Sequence, residues 1–495
     1  MPTYTTTPEI DTLLQQANAA TMRFKKTTIL QRAELMHHIA DAIEALDETL
    51  LQTAQQETNL PIARLASEKA RTVFQWRSYA DALASGNVLP VRIDTALPNR
   101  MPAPKPDLRK TYLPIGIVVV FCASNFPFAY STAGGDTASA IAAGCAVVVN
   151  AHSAHVKTST IMASAIAAGI EKAGYDKALF SHVVSNGFEN GKYLVQHNLV
   201  KAVGFTGSYA GGKALYDIAQ QRQQPIPVFA EMGSVNPVLV LPEKLKANPQ
   251  KLAEQYASSL TLGVGQFCTN PGIIIVPDIP ETNELLEVLA NEITGTQPAA
   301  MLHSGIAESF HKNKATAIAQ ADVTVVAHAP YTAASDGNAI VALINSKNFM
   351  ANKVLTHEVF GPFGLVVKYT SVQDAAAVIE SLEGQLTATV WAEAEEAAAN
   401  EDLINSLSEK CGRVIFNGFP TGVEVCYAMQ HGGPFPAATD SRFTSVGPDA
   451  IKRFARPVSY QNWPDNLLPD ELKNNNTLKI WRTINNQLTQ EDVSV

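Results

Sequence analysis

Cys268 lies in the run GVGQFCTNPG, between glycines and small polar residues, without a continuous apolar pattern around it. A loop thiol with room on either side can act as a nucleophile, although a cysteine taken alone also fits the role of a small packed hydrophobe. Upstream, FAEMGSVNP delivers Glu231 at the end of an apolar strand and not on a solvated helix face. Partial burial there would raise its pKa and suit it as a general base; the plainer alternative is an ordinary strand-end acid. VVVFCASNFPFAY ends a strand just before Asn125. Its side-chain amide can donate to an oxyanion, or can simply serve the turn that precedes Pro127. In KAVGFTGSYAGGKAL a strand, a glycine-rich turn and a helix follow one another, with Ser208 as N-cap. Gly207 there permits close approach of a pyrophosphate to a helix N-terminus, although the run is not GxGxxG and is weak by itself.

These residues need a frame that brings strand ends together. From Pro114 onward, short apolar runs (IGIVVVF, AVVVN, SHVVS, KAVGF, PVFAEM, PVLVL) alternate with helical patterns (TAGGDTASAIAAGC, TSTIMASAIAAGI, NGKYLVQHN, YAGGKALYDIAQQ). Such alternation predicts an α/β fold with a doubly wound parallel sheet, whose ligands sit at the carboxyl ends of its strands. A second α/β region, with GIIIV, VTVVAH, GLVVKY, TATVWA and GRVIFN, predicts a separate catalytic domain over 251–457. The first ninety residues read as covering helices. They join the first sheet in a dinucleotide-binding domain of 1–94 and 114–250. The proline-rich ribbon 95–113 and the tail 458–495, with a final strand in LKIWRTI that needs a partner edge, are read together as a small oligomerisation element.

Composition narrows the function classes. The chain has 495 residues, 46% hydrophobic and 17% charged, enough for several cores and too apolar for extensive disorder. A net charge of -9 with scattered Lys and Arg offers no face to nucleic acid or an anionic membrane. The apolar stretch 115–149 is broken by Ser, Asn, Pro, Gly and Asp, so it reads as core and not as a span. Five cysteines without CxxC spacing fit neither a disulfide framework nor a zinc site. No metal is expected. The opening MPTYTTTPEIDTLL has no signal-peptide pattern, so a cytoplasmic location is expected.

The ordered set ASNFPF, GFTGS, FAEMGSVNP, GQFCTNPG, HEVFGP and NGFPTGVEV resembles the aldehyde dehydrogenase superfamily across essentially the whole chain. The finer wording of MGSVNP, GQFCTNPG and MQHGGPFPAATDSRFTSVG looks like the branch that contains α-ketoglutaric semialdehyde (2,5-dioxopentanoate) dehydrogenases and an NADP-dependent fatty aldehyde dehydrogenase. The resemblance implies a Rossmann-like cofactor domain and oxidation of a small aldehyde to an acid through a Cys268 thiohemiacetal and thioester. It gives Asn125 and the Cys268 N–H the oxyanion and Glu231 the hydrolytic water, with His431 a possible helper beside the thiol. On the cofactor side it implies Ser124, Asn150, His152, Ser153, Gly207, Ser208, Glu358 and Phe360. For a substrate carboxylate, Arg71 or Arg77 is a candidate, with Tyr130 and Phe267 lining a tunnel; either arginine also fits a helix-surface charge. A homodimer or homotetramer is implied.

Two departures bear on the cofactor. Where the family reads Lys-Pro-Ala-Glu, this chain has Asn150, Ala151, His152 and Ser153. Loss of the Glu carboxylate permits a 2′-phosphate, while loss of the Lys cation disfavours one, so the resemblance implies NAD or NADP with a modest preference for NADP. Three alternatives stand beside 2,5-dioxopentanoate oxidation: a medium- or long-chain fatty aldehyde as substrate, acyl transfer to coenzyme A, and a fold retained without catalysis. Glu231 favours water over coenzyme A, and the intact thiol and base disfavour the last.

Overall fold

The computed structural model describes residues 3–420 and 422–493. Five parallel strands run in the order Phe180–Val183, Val147–Asn150, Ile117–Phe121, Val200–Thr206, Val228–Glu231. The β-branched residues of IVVVF and VVV are buried on both faces, and each fully buried side chain contributes about 1.5–3 kcal/mol. Helices Gly135–Ala143, Val156–Lys172, Glu189–Gln196 and Tyr209–Gln220 connect the strands, as the alternating pattern predicts. The chain starts at the central strand, moves outward to one edge, then returns to lay Val200–Thr206 on the other side. The crevice at the carboxyl ends of Ile117–Phe121 and Val200–Thr206 is therefore a topological switch point, with Ser124 and Asn125 on one lip and Gly207 and Ser208 on the other.

The N-terminal helices Thr7–Phe24, Ile29–Glu44, Glu48–Thr58 and Ile62–Ser85 cover this layer. Gly169 lets the helices Ile29–Glu44 and Val156–Lys172 approach closely, because a Cβ there would stand 2.6 Å from the Cα of Ile39.

A second sheet has seven strands, in the order Thr324–His328, Ile340–Asn345, Phe363–Tyr369, Ile273–Pro277, Val238–Val240, Gln385–Trp391, Cys411–Phe416, parallel except at the first edge. Two of these differ from the sequence reading. Val238–Val240, placed with the first sheet by its apolar rhythm, instead pairs with Ile274–Ile275 and Thr389–Trp391. The second sheet thus starts before residue 251, and Ile340–Asn345 is a buried strand that the reading left out.

The third sheet joins distant segments in the order Ala455–Gln461, Leu108–Pro114, Val91–Asp94, Arg482–Ile484, Gln487–Thr489. The tail strand expected in LKIWRTI finds its partner edge here, parallel to Val91–Ile93. No helix among the described residues is long and apolar enough to cross a membrane.

Candidate active site

Cys268 follows a left-handed turn in which Gly263, Val264 and Gly265 have φ of 56, 60 and 64°. Two of the three are glycines, which adopt this region freely; a β-branched valine there is strained by about 1–2 kcal/mol. At Gly265 a Cβ would lie 2.4 Å from the backbone of Gly361 and Pro362, so this turn also needs glycine for space. Asn236 fixes the loop from below: its Nδ2 donates to the carbonyls of Cys268 and Asn270, both at 2.9 Å. Asn236 is itself held by Ser234 and Thr387, and the Gln385 side chain accepts from Ser234 and from the N–H of Val235.

Glu231 ends the outer strand Val228–Glu231, and the segment 437–439 pairs back onto that strand through Met232 N–H to Ala437 O at 2.8 Å. This return brings His431 over the carboxylate. His431 Nε2 stands 3.0 Å from Glu231 Oε1 and 3.6 Å from Cys268 Sγ, and both His431 and Glu231 are buried. Ser445 donates to the other carboxylate oxygen at 2.6 Å and to the His431 carbonyl at 3.1 Å. Asn125, also buried, donates its amide to the carbonyl of Gln266 at 3.1 Å, beside the nucleophile loop.

The electrostatics differ from the sequence expectation at Glu231. Burial pushes its pKa up, but His431 and the bonds from His431 and Ser445 outweigh it, so the carboxyl is held below its ordinary value. The Cys268 thiol is pushed well above its usual value by burial first, then by the charges of Glu231 and Glu358. The resting thiol is thus protonated and in reach of an ionised carboxylate, an arrangement suited to nucleophilic attack with proton removal. The three donor atoms lie within 4.8 Å of one another, close enough to share a soft cation.

A cavity of about 530 Å³ leads to Cys268, lined by Arg71, Phe126, Tyr130, Phe267 and Arg413 among others. Arg71, Tyr130 and Phe267 are therefore brought together as expected. Arg77 is not: it lies on another face of the helix Ile62–Ser85, where Asp41 and Glu44 hold it at 2.9 and 2.6 Å. Three residues of this helix that the sequence reading did not single out, or singled out only in part, share one face. Arg64 donates to the Asn125 carbonyl at 2.7 Å and lies over Phe126 and Phe267. Glu68 accepts from the N–H groups of Phe128 and Ala129 at 2.8 and 2.9 Å, and Arg71 lies over Tyr130. The spacing i, i+4, i+7 was the available signal. Arg413, on the strand Cys411–Phe416, was missed and carries no such signal.

The dinucleotide candidates of the first sheet lie at the carboxyl ends of neighbouring strands, and Glu358 with Phe360 lies in a second cleft. Ser208 caps the helix Tyr209–Gln220 by accepting from Gly211 N–H at 3.3 Å, which leaves free N–H groups facing the crevice. Gly207 makes room first for the Phe205 ring, which a Cβ would strike at 2.8 Å. Asn150 ends the strand Val147–Asn150, the loop with His152 and Ser153 follows it, and Ser185 donates to the Asn150 side-chain carbonyl. Burial, then the neighbouring His155 and His303, push His152 down to about 3, so the loop carries no cation from it. Glu358, beside Phe360 in a second cleft, is pushed up to about 8 by burial, with the Ser234 N–H as its polar partner and no basic residue paired with it among the described residues. A half-buried carboxyl without a cation fits the hydroxyls of a ribose.

The aldehyde dehydrogenase family model matches residues 2–450 of the chain. The chain is 44% identical to an alpha-ketoglutaric semialdehyde dehydrogenase of Acinetobacter baylyi, over 98% of this chain and 92% of that protein. It is likewise 44% identical to alpha-ketoglutaric semialdehyde dehydrogenase 2 of Azospirillum brasilense, over 96% of this chain and 90% of that one. The fold is similar to that of glyceraldehyde-3-phosphate dehydrogenase from Methanocaldococcus jannaschii, solved with NADP, at a TM-score of 0.78 and 18% identity over 93% of this chain and 95% of that chain. It also matches betaine aldehyde dehydrogenase from Staphylococcus aureus, solved with NAD+, at 0.77 and 17% over 93% and 90%.

Proposed function

This chain belongs to the aldehyde dehydrogenase family, and on that premise we propose that it oxidises 2,5-dioxopentanoate to 2-oxoglutarate with NADP or NAD. The observation that carries this reading is the cluster of Cys268, Glu231 and His431 at the end of an arginine-bearing cavity. The 44% identity to two dehydrogenases named for that semialdehyde supports the choice of substrate.

In the first step Sγ of Cys268 bonds to the aldehyde carbon while its proton passes to the Glu231 carboxylate, with His431 bridging the two. The oxyanion that forms is held by Asn125 Nδ2 and the Cys268 backbone N–H; such a donor is typically worth about 3–4 kcal/mol. A nicotinamide held by Glu358 and Phe360 would supply the hydride acceptor needed for the thiohemiacetal on Cys268 to become a thioester. Glu231 gives up the first proton to solvent, then takes one from water as it attacks the thioester, and returns it to the sulfur as the C–S bond breaks and the thiol is restored.

Ser208 and the helix behind Gly207 suit the pyrophosphate; Asn150, His152 and Ser153 suit the adenosine ribose, and Glu358 the nicotinamide ribose, with Phe360 against the ring and Ser124 on the facing lip. Ser153 removes a carboxylate that would repel a 2′-phosphate, yet the neutral His152 and Asn150 add no cation, so the preference for NADP is modest. The first sheet would then be the dinucleotide-binding layer and the second the catalytic one. The third sheet, with Trp463, Leu467 and Leu488 exposed, suits an interface of a homodimer or homotetramer. A cytoplasmic location accords with this chemistry.

The test is a panel of initial rates on 2,5-dioxopentanoate, succinic semialdehyde and medium-chain aldehydes with NAD and NADP, with and without coenzyme A. Free 2-oxoglutarate as the product of the fastest reaction is expected, and Cys268→Ala should lose turnover by several orders of magnitude. Acyl-coenzyme A as sole product, or a fatty aldehyde as much the better substrate, would overturn the reading.

A further inference from the structure

Arg413 and Arg71 come from opposite ends of the chain, one on the edge strand Cys411–Phe416 and one on the helix Ile62–Ser85. Consecutive carbonyls bring them together: Arg413 Nη1 donates to Gly422 O at 2.9 Å and Arg71 Nη2 donates to Val423 O at 3.1 Å. Both line the cavity that reaches Cys268. Among the described residues neither pairs with a carboxylate, and Arg71 Nη1 with Arg413 Nε and Nη2 are buried donors without a partner. Of the buried arginines, Arg453 pairs with Asp136 at 2.7 Å and Arg109 with Asp107 at 2.9 Å, while Arg32 and Arg482 donate to backbone carbonyls; none of these four lines the cavity.

Two half-buried guanidinium groups whose spare N–H donors are buried cost free energy unless an anion completes them. Their planar forks match a carboxylate. Between them and the thiol the walls are apolar, from Phe126, Phe267, Tyr130 and Met429, and suit a short methylene chain. Burial lowers the Arg413 pKa, and Arg413, Tyr130 and the nucleophile Cys268 line the same cavity. Glu424 also lines the cavity, but it is exposed and accepts from its neighbour Val425 N–H at 3.1 Å. A neutral aldehyde would leave every one of these donors unsatisfied.

We propose that Arg413, together with Arg71, is the specificity-determining carboxylate clamp of the cavity, so that the aldehydes it selects carry an acid group a few carbons from the reacting carbonyl. The proposal rests on Cys268 being the nucleophile and deepens the reading of the same site.

The experiment compares kcat/KM for 2,5-dioxopentanoate and succinic semialdehyde with kcat/KM for pentanal, in the full-length wild type and in Arg413→Met, Arg413→Lys and Arg71→Met. The ratio of carboxylate to neutral substrate should fall roughly 30-fold in Arg413→Met, the scale of a lost charge-assisted fork, and by less in Arg413→Lys. Inhibition by 2-oxoglutarate, which contains no aldehyde, should weaken in parallel. A ratio unchanged in both Met variants, or equal losses on both substrate types, would overturn the clamp. If succinic semialdehyde shows the arginine dependence while 2,5-dioxopentanoate is not oxidised, the clamp stands and the proposed substrate falls. If 2,5-dioxopentanoate is oxidised with a ratio indifferent to both arginines, the substrate stands and the clamp falls.

Discussion

His431 Nε2 lies 3.0 Å from the Glu231 carboxylate, and this buried contact opposes the desolvation that would otherwise raise the acid. Its removal therefore has a signed consequence. In His431→Gln burial acts with less opposition, the Glu231 pKa rises, and the acid limb of the turnover profile should move to higher pH. Steady-state kcat measured from pH 4.5 to 8 checks this, and superimposable limbs would detach His431 from Glu231.

Glu231 is close to both the thiol and the place of the hydrolytic water, and the two stages separate kinetically. Glu231→Gln should lose steady turnover by orders of magnitude, because deacylation lacks its base. A stopped-flow trace of NAD(P)H should still show one burst, slowed because the amide cannot take the Cys268 proton. Unchanged steady rates would remove Glu231 from the chemistry.

The adenosine loop gives a test of cofactor choice. A carboxylate at position 153 would face a 2′-phosphate, and two unit charges about 4 Å apart repel by roughly 4 kcal/mol at an effective dielectric near 20. After screening and side-chain retreat about 1–2 kcal/mol remains, so Ser153→Glu should raise KM for NADP roughly tenfold and spare NAD. Asn150→Lys should act in the opposite sense. An NADP to NAD ratio that ignores Ser153→Glu would mean that this loop does not meet the ribose.

Glu68 links stability to pH. Burial raises its pKa from 4.5 to about 7 despite bonds from the N–H groups of Phe128 and Ala129. The folded chain then holds a proton that the unfolded chain has released, so stability from this group is present below pH 4.5 and is lost as pH rises to about 7. The loss is on the order of 3 kcal/mol at most. Glu68→Gln keeps an acceptor for both N–H groups and should flatten the decline. Thermal midpoints of the two proteins should diverge from pH 5 to pH 8; parallel curves would refute the assignment.

Cys268, Glu231 and Asn125 were legible because each breaks an apolar rhythm at a strand end or in a loop of small residues, where packing alone does not demand that residue type. Val238–Val240 was misplaced for the converse reason. Its run reads like the strands before it, and only pairing with Ile274 and Thr389, distant in sequence, decides its sheet. Arg71 and Arg77 are six positions apart on one helix, about 120° from a shared face, so periodicity separates them once Arg64 and Glu68 are counted with Arg71. Arg413 was illegible: in CGRVIF its position is that of any outward strand residue, and the cavity it meets is built by Tyr130, Phe267 and the 422–425 loop. The pKa of Glu231 was read with the wrong sign because Ser445 and His431 reach it through a chain return that no local pattern announces.

The third sheet sets a clock on biosynthesis. Val91–Asp94 is paired on one side by Arg482–Ile484, so a strand made early waits for roughly 390 further residues, about 20–80 s at 5–20 residues per second. By the last part of that interval, after Phe416, the first two sheets can already be closed, while Val91 and Ile93, buried in the finished chain, still have an open edge. A nascent chain held on the ribosome short of Arg482 therefore presents an unpaired strand edge that the finished chain covers.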